Sequence, residues 1–171
     1  LGDVYKRQFL HGGLSEAITN VSHHAYPSDC GYKEYDKNWY LTGSYHLESK
    51  ELKIVFYDQG VGIPKTLPAS KVWEKALNVL ASIPVLERYR DEALLKAAVE
   101  LDRTSTEEGD RGKGLQDLLE FIKQRENGYL SIMSLKGLYK HSMNQGDTKI
   151  KTKSFASPIY GTLITWSVSL D

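Results

Sequence analysis

Three short segments of the sequence carry side chains able to do chemistry. Glu16, Asn20 and His24 follow one another at four-residue spacing, which on a helix lines them along one side. A carboxylate in that line can orient or deprotonate a water, and an amide oxygen one turn further on is a hard donor of the kind magnesium prefers. The same three residues also suit a solvated helix surface. Next comes Asp58-Gln59-Gly60-Val61-Gly62-Ile63-Pro64, a carboxylate followed by two glycines that allow close approach of backbone to a ligand. An aspartate there can accept a hydrogen bond from an exocyclic amine such as that of adenine, whereas guanine presents a carbonyl at that edge. A tight turn closing a hairpin would need the same residue types. The third segment, Gly109-Asp110-Arg111-Gly112-Lys113-Gly114, leads into a helical pattern, and glycine-rich backbone at a helix start offers amide donors and a positive dipole end to phosphate. It lacks the Lys-Ser/Thr pair of a P-loop, and no strand precedes it as a dinucleotide fingerprint requires. Its acidic neighbours Glu107, Glu108 and Asp110 also fit a solvated connector.

The elements that must position these residues follow from periodicity. Leu10, Leu14, Ala17, Ile18, Val21 and Ala25 recur at helical spacing, placing an apolar stripe beside the Glu16-Asn20-His24 line, and Pro27 ends the helix. Trp39 to Leu47 and Leu52 to Tyr57 read as an antiparallel hairpin, with Asp58 at the end of its second strand. Two helices are expected between Ala69 and Leu101, interrupted at Pro84, and a further helix follows Gly114 through Leu115, Leu118, Leu119 and Ile122. Asn127-Gly128 marks a turn, after which Tyr129 to Leu135, Lys149 to Phe155 and Thr162 to Leu170 read as three strands. Helices on one face of a mostly antiparallel mixed sheet, an α+β fold arranged as a two-layer α/β sandwich, fit this order.

A chain of 171 residues suits one domain, with 40% hydrophobic and 26% charged residues as in globular proteins. Twenty-two basic residues balance twenty-two acidic ones, so no nucleic-acid partner is expected, and the lysines between Lys136 and Lys153 read as a solvated hairpin. No run approaches the roughly 20 apolar residues of a membrane span, so no membrane segment is expected. The single cysteine, Cys30, suits a cytoplasmic location. Zinc at His23, His24, Asp29 and Cys30 matches no standard ligand spacing. Leu1 to Gln8 resemble a translated sequencing-adaptor sequence and are set aside as a non-native leader, leaving 9–171 as the domain.

In their order along the chain, the three segments resemble the boxes of the GHKL superfamily, named for gyrase, heat-shock chaperones, histidine kinases and MutL. Glu16-Ala-Ile-Thr-Asn20-Val-Ser-His-His24-Ala resembles its asparagine box, Asp58-Gln-Gly-Val-Gly62-Ile-Pro its first glycine box, and Gly109-Asp-Arg-Gly-Lys-Gly114-Leu its second. Gly161-Thr162-Leu-Ile-Thr resembles the closing strand. The resemblance implies a Bergerat-type fold that binds ATP with Mg2+, with a lid or insert over about 64–114. Asp58 would bind the adenine amino group, with Thr162 supporting that region through a bridging water. Asn20 would hold the magnesium ion, and Glu16 would act as the catalytic carboxylate. His24 would belong to the same nucleotide site. Gly60 and Gly62 would shape the adenine side, and Gly109, Gly112, Lys113 and Gly114 the phosphate side. Few residues precede the asparagine box, so an amino-terminal truncation is expected. The implied activity is ATP hydrolysis or transfer of the terminal phosphate to a protein acceptor of unknown identity, the alternative being a non-catalytic, nucleotide-gated regulatory module.

Overall fold

The computed structural model describes residues 11, 12, 15, 19, 25–70, 72–104 and 114–170. Two short turns of 3-10 helix, Ser28–Cys30 and Glu34–Asp36, lead into strand β1 (Trp39–His46) and strand β2 (Glu51–Asp58). Helix α1 (Ile63–Thr66) follows, continued by a 3-10 turn at Leu67–Ala69, then α2 (Trp73–Leu80), α3 (Asp91–Thr104) and α4 (Gly114–Arg125). Two long strands, β3 (Asn127–Asn144) and β4 (Asp147–Ser169), complete the described chain.

The strands form one sheet in the order β1-β2-β4-β3, antiparallel at each of its three pairings. The fold is therefore α+β, and no parallel pair that would make the sheet mixed occurs among the described residues. Its inner face is set by alternation. Leu52, Ile54 and Phe56 of β2 stand beside Val168, Trp166 and Ile164 of β4, which in turn stand beside Gly128, Leu130 and Ile132 of β3. Against this face pack Leu95 and Val99 of α3 and Leu118, Phe121 and Ile122 of α4. Trp166 anchors the interface, with its indole Nε1 donating to the Leu118 carbonyl at 3.2 Å and its ring 5.5 Å from that of Phe121. The opposite side of α3 packs on a second cluster, in which Ala93, Leu94, Ala97 and Leu101 meet Leu67, Ala76 and Leu80.

Where three strands were expected after Asn127, the structure has two, each broken by irregularities rather than by loops. The β3 to β4 register shifts around Leu135, whose φ is 51°, and on β4 the residues between Ser154 and Ile159 and between Ile159 and Thr162 fall outside regular pairing. The shift also switches parity: Leu130 and Ile132 face the helices before it, Tyr139 and Met143 after it. Beyond the bulge the hairpin doubles back. Its tip amide, Gly146 N–H, donates to the carbonyl of Glu126, and the Lys140 ammonium lies 4.1 Å from the centroid of the Tyr129 ring. Gln145 and Gly146 both have positive φ, 50° and 84°, the sign that a type I′ two-residue turn requires.

Candidate functional site

The inner-face stripe of three strands changes from apolar to polar at a single row. After Phe56 comes Asp58, before Ile164 comes Thr162, and after Ile132 comes Ser134. Asp58 pairs in register with Thr162, and Thr162 with Ser134, while Trp39 of β1 pairs with Asp58. The three polar residues are nearly or wholly withdrawn from solvent, at 4%, 4% and 0% exposure. Buried polar groups are costly unless partnered, so each must be satisfied by the protein or by a ligand.

Asp58 Oδ1 accepts from the Gly60 amide at 2.9 Å. Burial raises the pKa of this carboxyl above the ordinary aspartate value, while hydrogen bonds from the backbone of Gly60 and of Thr162 act in the opposite sense. Ser134 is the hub of the row. Its Oγ lies 3.1 Å from the Ile63 amide, 3.0 Å from the Gly161 carbonyl and 3.1 Å from Thr162 Oγ1. β3 is thereby tied to the start of α1 and to the bulge before Thr162, the register partner of Asp58.

Three glycines make this closeness feasible. A Cβ on Gly161, where φ is 77°, would stand 1.9 Å from the Asp58 carbonyl oxygen. Gly62, with φ 87°, caps α1, and a Cβ there would meet Ser134 Oγ at 2.7 Å. A Cβ on Gly60 would lie 2.2 Å from the carbonyl oxygen of Ala25, which also accepts from the Val61 amide at 2.8 Å. The small size of Gly60 and Gly62 thus serves contact of the chain with itself, a reason independent of any ligand. Tyr26 closes the other side: its hydroxyl accepts from the Gln59 amide at 3.1 Å and donates to the Asn38 carbonyl. Burial raises the pKa of that phenol, and the neighbouring Asp58 charge adds to the shift.

Of the residues singled out in the sequence, Asp58, Gly60, Gly62 and Thr162 come together. Gly114 opens α4. Glu16, Asn20, His24, Gly109, Gly112 and Lys113 lie outside the described residues, and with them the expected magnesium ligand and catalytic carboxylate. Ser134 and Tyr26 escaped sequence reasoning. Ser134 had a signal, a hydroxyl at the inward position of an otherwise apolar alternation after Leu130 and Ile132. Tyr26 had none, because its partners are backbone groups reached through the fold.

No protein-family model matches this sequence, and no curated protein matches it. A solved structure, the crystal structure of the N-terminal domain of a DNA repair protein, is 15% identical, with a TM-score of 0.25 over 67% of this chain and 28% of that chain. A likeness at that score carries no weight for fold or function. Among the described residues, no helix is long and apolar enough to cross a membrane, and no three His, Cys, Asp or Glu side chains group as a metal site.

Proposed function

We propose that this chain binds ATP with Mg2+ in a GHKL-type site, and that it hydrolyses the nucleotide or passes its terminal phosphate to a protein, as a histidine-kinase-like ATPase. The observation that carries this reading is the buried Asp58-Thr162-Ser134 row at the end of the apolar stripe. A withdrawn carboxylate, next to a hydroxyl and bordered by glycine backbone, suits a flat ligand that offers an amino group. The α+β architecture is compatible with a two-layer sandwich of the Bergerat type, whose lid would span about 64–114.

In this reading Asp58 accepts from the adenine amine and Thr162 supports the same edge. Gly109, Gly112 and Gly114 with Lys113 receive the phosphates at the start of α4, where backbone donors and the helix dipole favour anions. Asn20 holds the magnesium ion, with His24 in the same site. Magnesium would supply neutralisation of developing phosphate charge, and Glu16 would orient the attacking group. The protein acceptor and the cytoplasmic setting belong to this reading as well. A non-catalytic, nucleotide-gated module is the second reading, favoured by the exposed Val85, Leu86 and Tyr89 between α2 and α3, an apolar surface in the proposed lid.

Calorimetric titration with Mg-ATP tests the site. Loss of one charge-assisted hydrogen bond at about 2–3 kcal/mol predicts roughly 30- to 150-fold weaker binding for Asp58→Asn. Unchanged affinity in that variant would remove the adenine contact. Phosphate release or transfer that disappears in Glu16→Gln while binding persists supports catalysis, whereas binding without turnover in the unmodified chain favours the gated module.

A further inference from the structure

We infer that Ser134 sets the hydrogen-bond polarity of Thr162, and thereby restricts the Asp58-Thr162 pair to ligands that present an amino group rather than a carbonyl. The inference rests on the nucleotide-binding reading above and names what selects the base.

A serine hydroxyl has one proton to give and two lone pairs to accept with. Around Ser134 Oγ stand three partners, at 3.1, 3.0 and 3.1 Å. Two of them have a fixed sense: the Ile63 amide can only donate, and the Gly161 carbonyl can only accept. Ser134 therefore accepts from Ile63 and gives its proton to Gly161. One lone pair is left, and it is filled only if the Thr162 hydroxyl donates into it. Were Ser134 to donate to Thr162 instead, the Gly161 carbonyl would lose this donor. Gly161 is itself buried, so solvent does not replace that donor.

With its proton committed to Ser134, Thr162 Oγ1 offers only lone pairs to a ligand. Its register partner Asp58 is an acceptor too. Two adjacent acceptors match an amine when Thr162 meets the base edge directly, without the bridging water that the family resemblance implies. A six-position carbonyl, as in an inosine or guanosine nucleotide, would bring a third oxygen against them. Ser134 touches no ligand in this account; it is a positioning residue acting through Thr162.

ATP and ITP differ at this edge of the base, where the six-position amine is replaced by a carbonyl and N1 gains a proton, so the change in the ratio of their dissociation constants between variants, rather than the ratio itself, reads the polarity. With the full chain and Mg2+, we expect the unmodified protein to favour ATP. Ser134→Ala lets the Thr162 hydroxyl turn and donate, which should shrink the preference by about tenfold through improved ITP binding. In a Thr162→Val background, Ser134→Ala should leave the ratio unchanged. Ser134→Cys, nearly isosteric but a weak donor and acceptor, should shift the ratio in the same direction and covers the case in which the alanine variant fails to fold. Equal weakening of both nucleotides in Ser134→Ala and Ser134→Cys would overturn the inference and leave Ser134 a structural role. So would a ratio change that persists without the Thr162 hydroxyl. If the unmodified chain binds neither nucleotide, the nucleotide reading falls and this inference with it.

Discussion

Asp58 occupies a position where the β2 alternation calls for an apolar side chain, and its environment records the conflict. Burial raises its pKa, so between the ordinary aspartate value and the raised one the folded protein holds more protons than the unfolded chain. Stability therefore falls as pH rises through that window and stays lower above it. Nucleotide affinity should run the other way, because protonation removes the charged acceptor. Thermal midpoints and Mg-ATP titrations across acidic pH should give opposite slopes in the wild type, and Asp58→Asn should flatten both. Parallel slopes would show that another group governs the site. Asp58 was singled out in the sequence as a carboxylate at a strand end followed by glycines, and Thr162 through the resemblance of Gly161-Thr162 to a closing strand. Their being neighbours was not legible, since 58 meets 162 only through strand register.

At the scale of elements, glycine positions with similar backbone angles differ in what surrounds them. Gly31 and Gly161 both have positive φ, 71° and 77°, but a Cβ on Gly31 meets nothing within 4 Å, whereas one on Gly161 runs into the Asp58 carbonyl. Gly31→Ala should cost about 1–2 kcal/mol, the price of a left-handed residue. Gly161→Ala adds a backbone collision and should exceed that, to about 3 kcal/mol or more, with loss of nucleotide binding. Urea denaturation of the two variants makes the comparison. In the hairpin, Lys140 and Lys151 are direct cross-strand partners. Like charges so placed are destabilising, so Lys151→Glu should raise stability by about 0.5 kcal/mol at low ionic strength, with the gain shrinking as salt is added. The hairpin also shows where sequence reading stopped short. Polar outward residues and Gly137 dilute the strand pattern from 137 to 144, and the bulges around Leu135 and Ile159 look like strand ends when neither partner strand is known. The β1-β2 hairpin and the two helices around Pro84, by contrast, rest on local patterns and were readable.

For the molecule as a whole, α3 joins two apolar clusters, one facing the sheet and one facing α1 and α2. A ligand that binds the folded state alone stabilises all of it, by about 2.7 kcal/mol at one hundred times its dissociation constant. Differential scanning calorimetry should therefore show a concentration-dependent rise in the thermal midpoint with Mg-ATP and a much smaller one at the same concentration in Asp58→Asn; a flat midpoint at saturating nucleotide in the unmodified chain would contradict the proposed function.

The position of β4 in the sheet has a consequence for how the protein is made. Its carboxy-terminal half lies between β2 and β3, so an inner strand of the sheet comes from the latest of the described strands in chain order. β2 waits through more than a hundred residues of translation for the partner that aligns Asp58 with Thr162. Contacts of such sequence separation form slowly, because loop closure precedes their reward. Until then the β2 edge that pairs with β4 lacks its partner strand. A chain halted before residue 162 would hold the Asp58 carboxylate without its register partner Thr162.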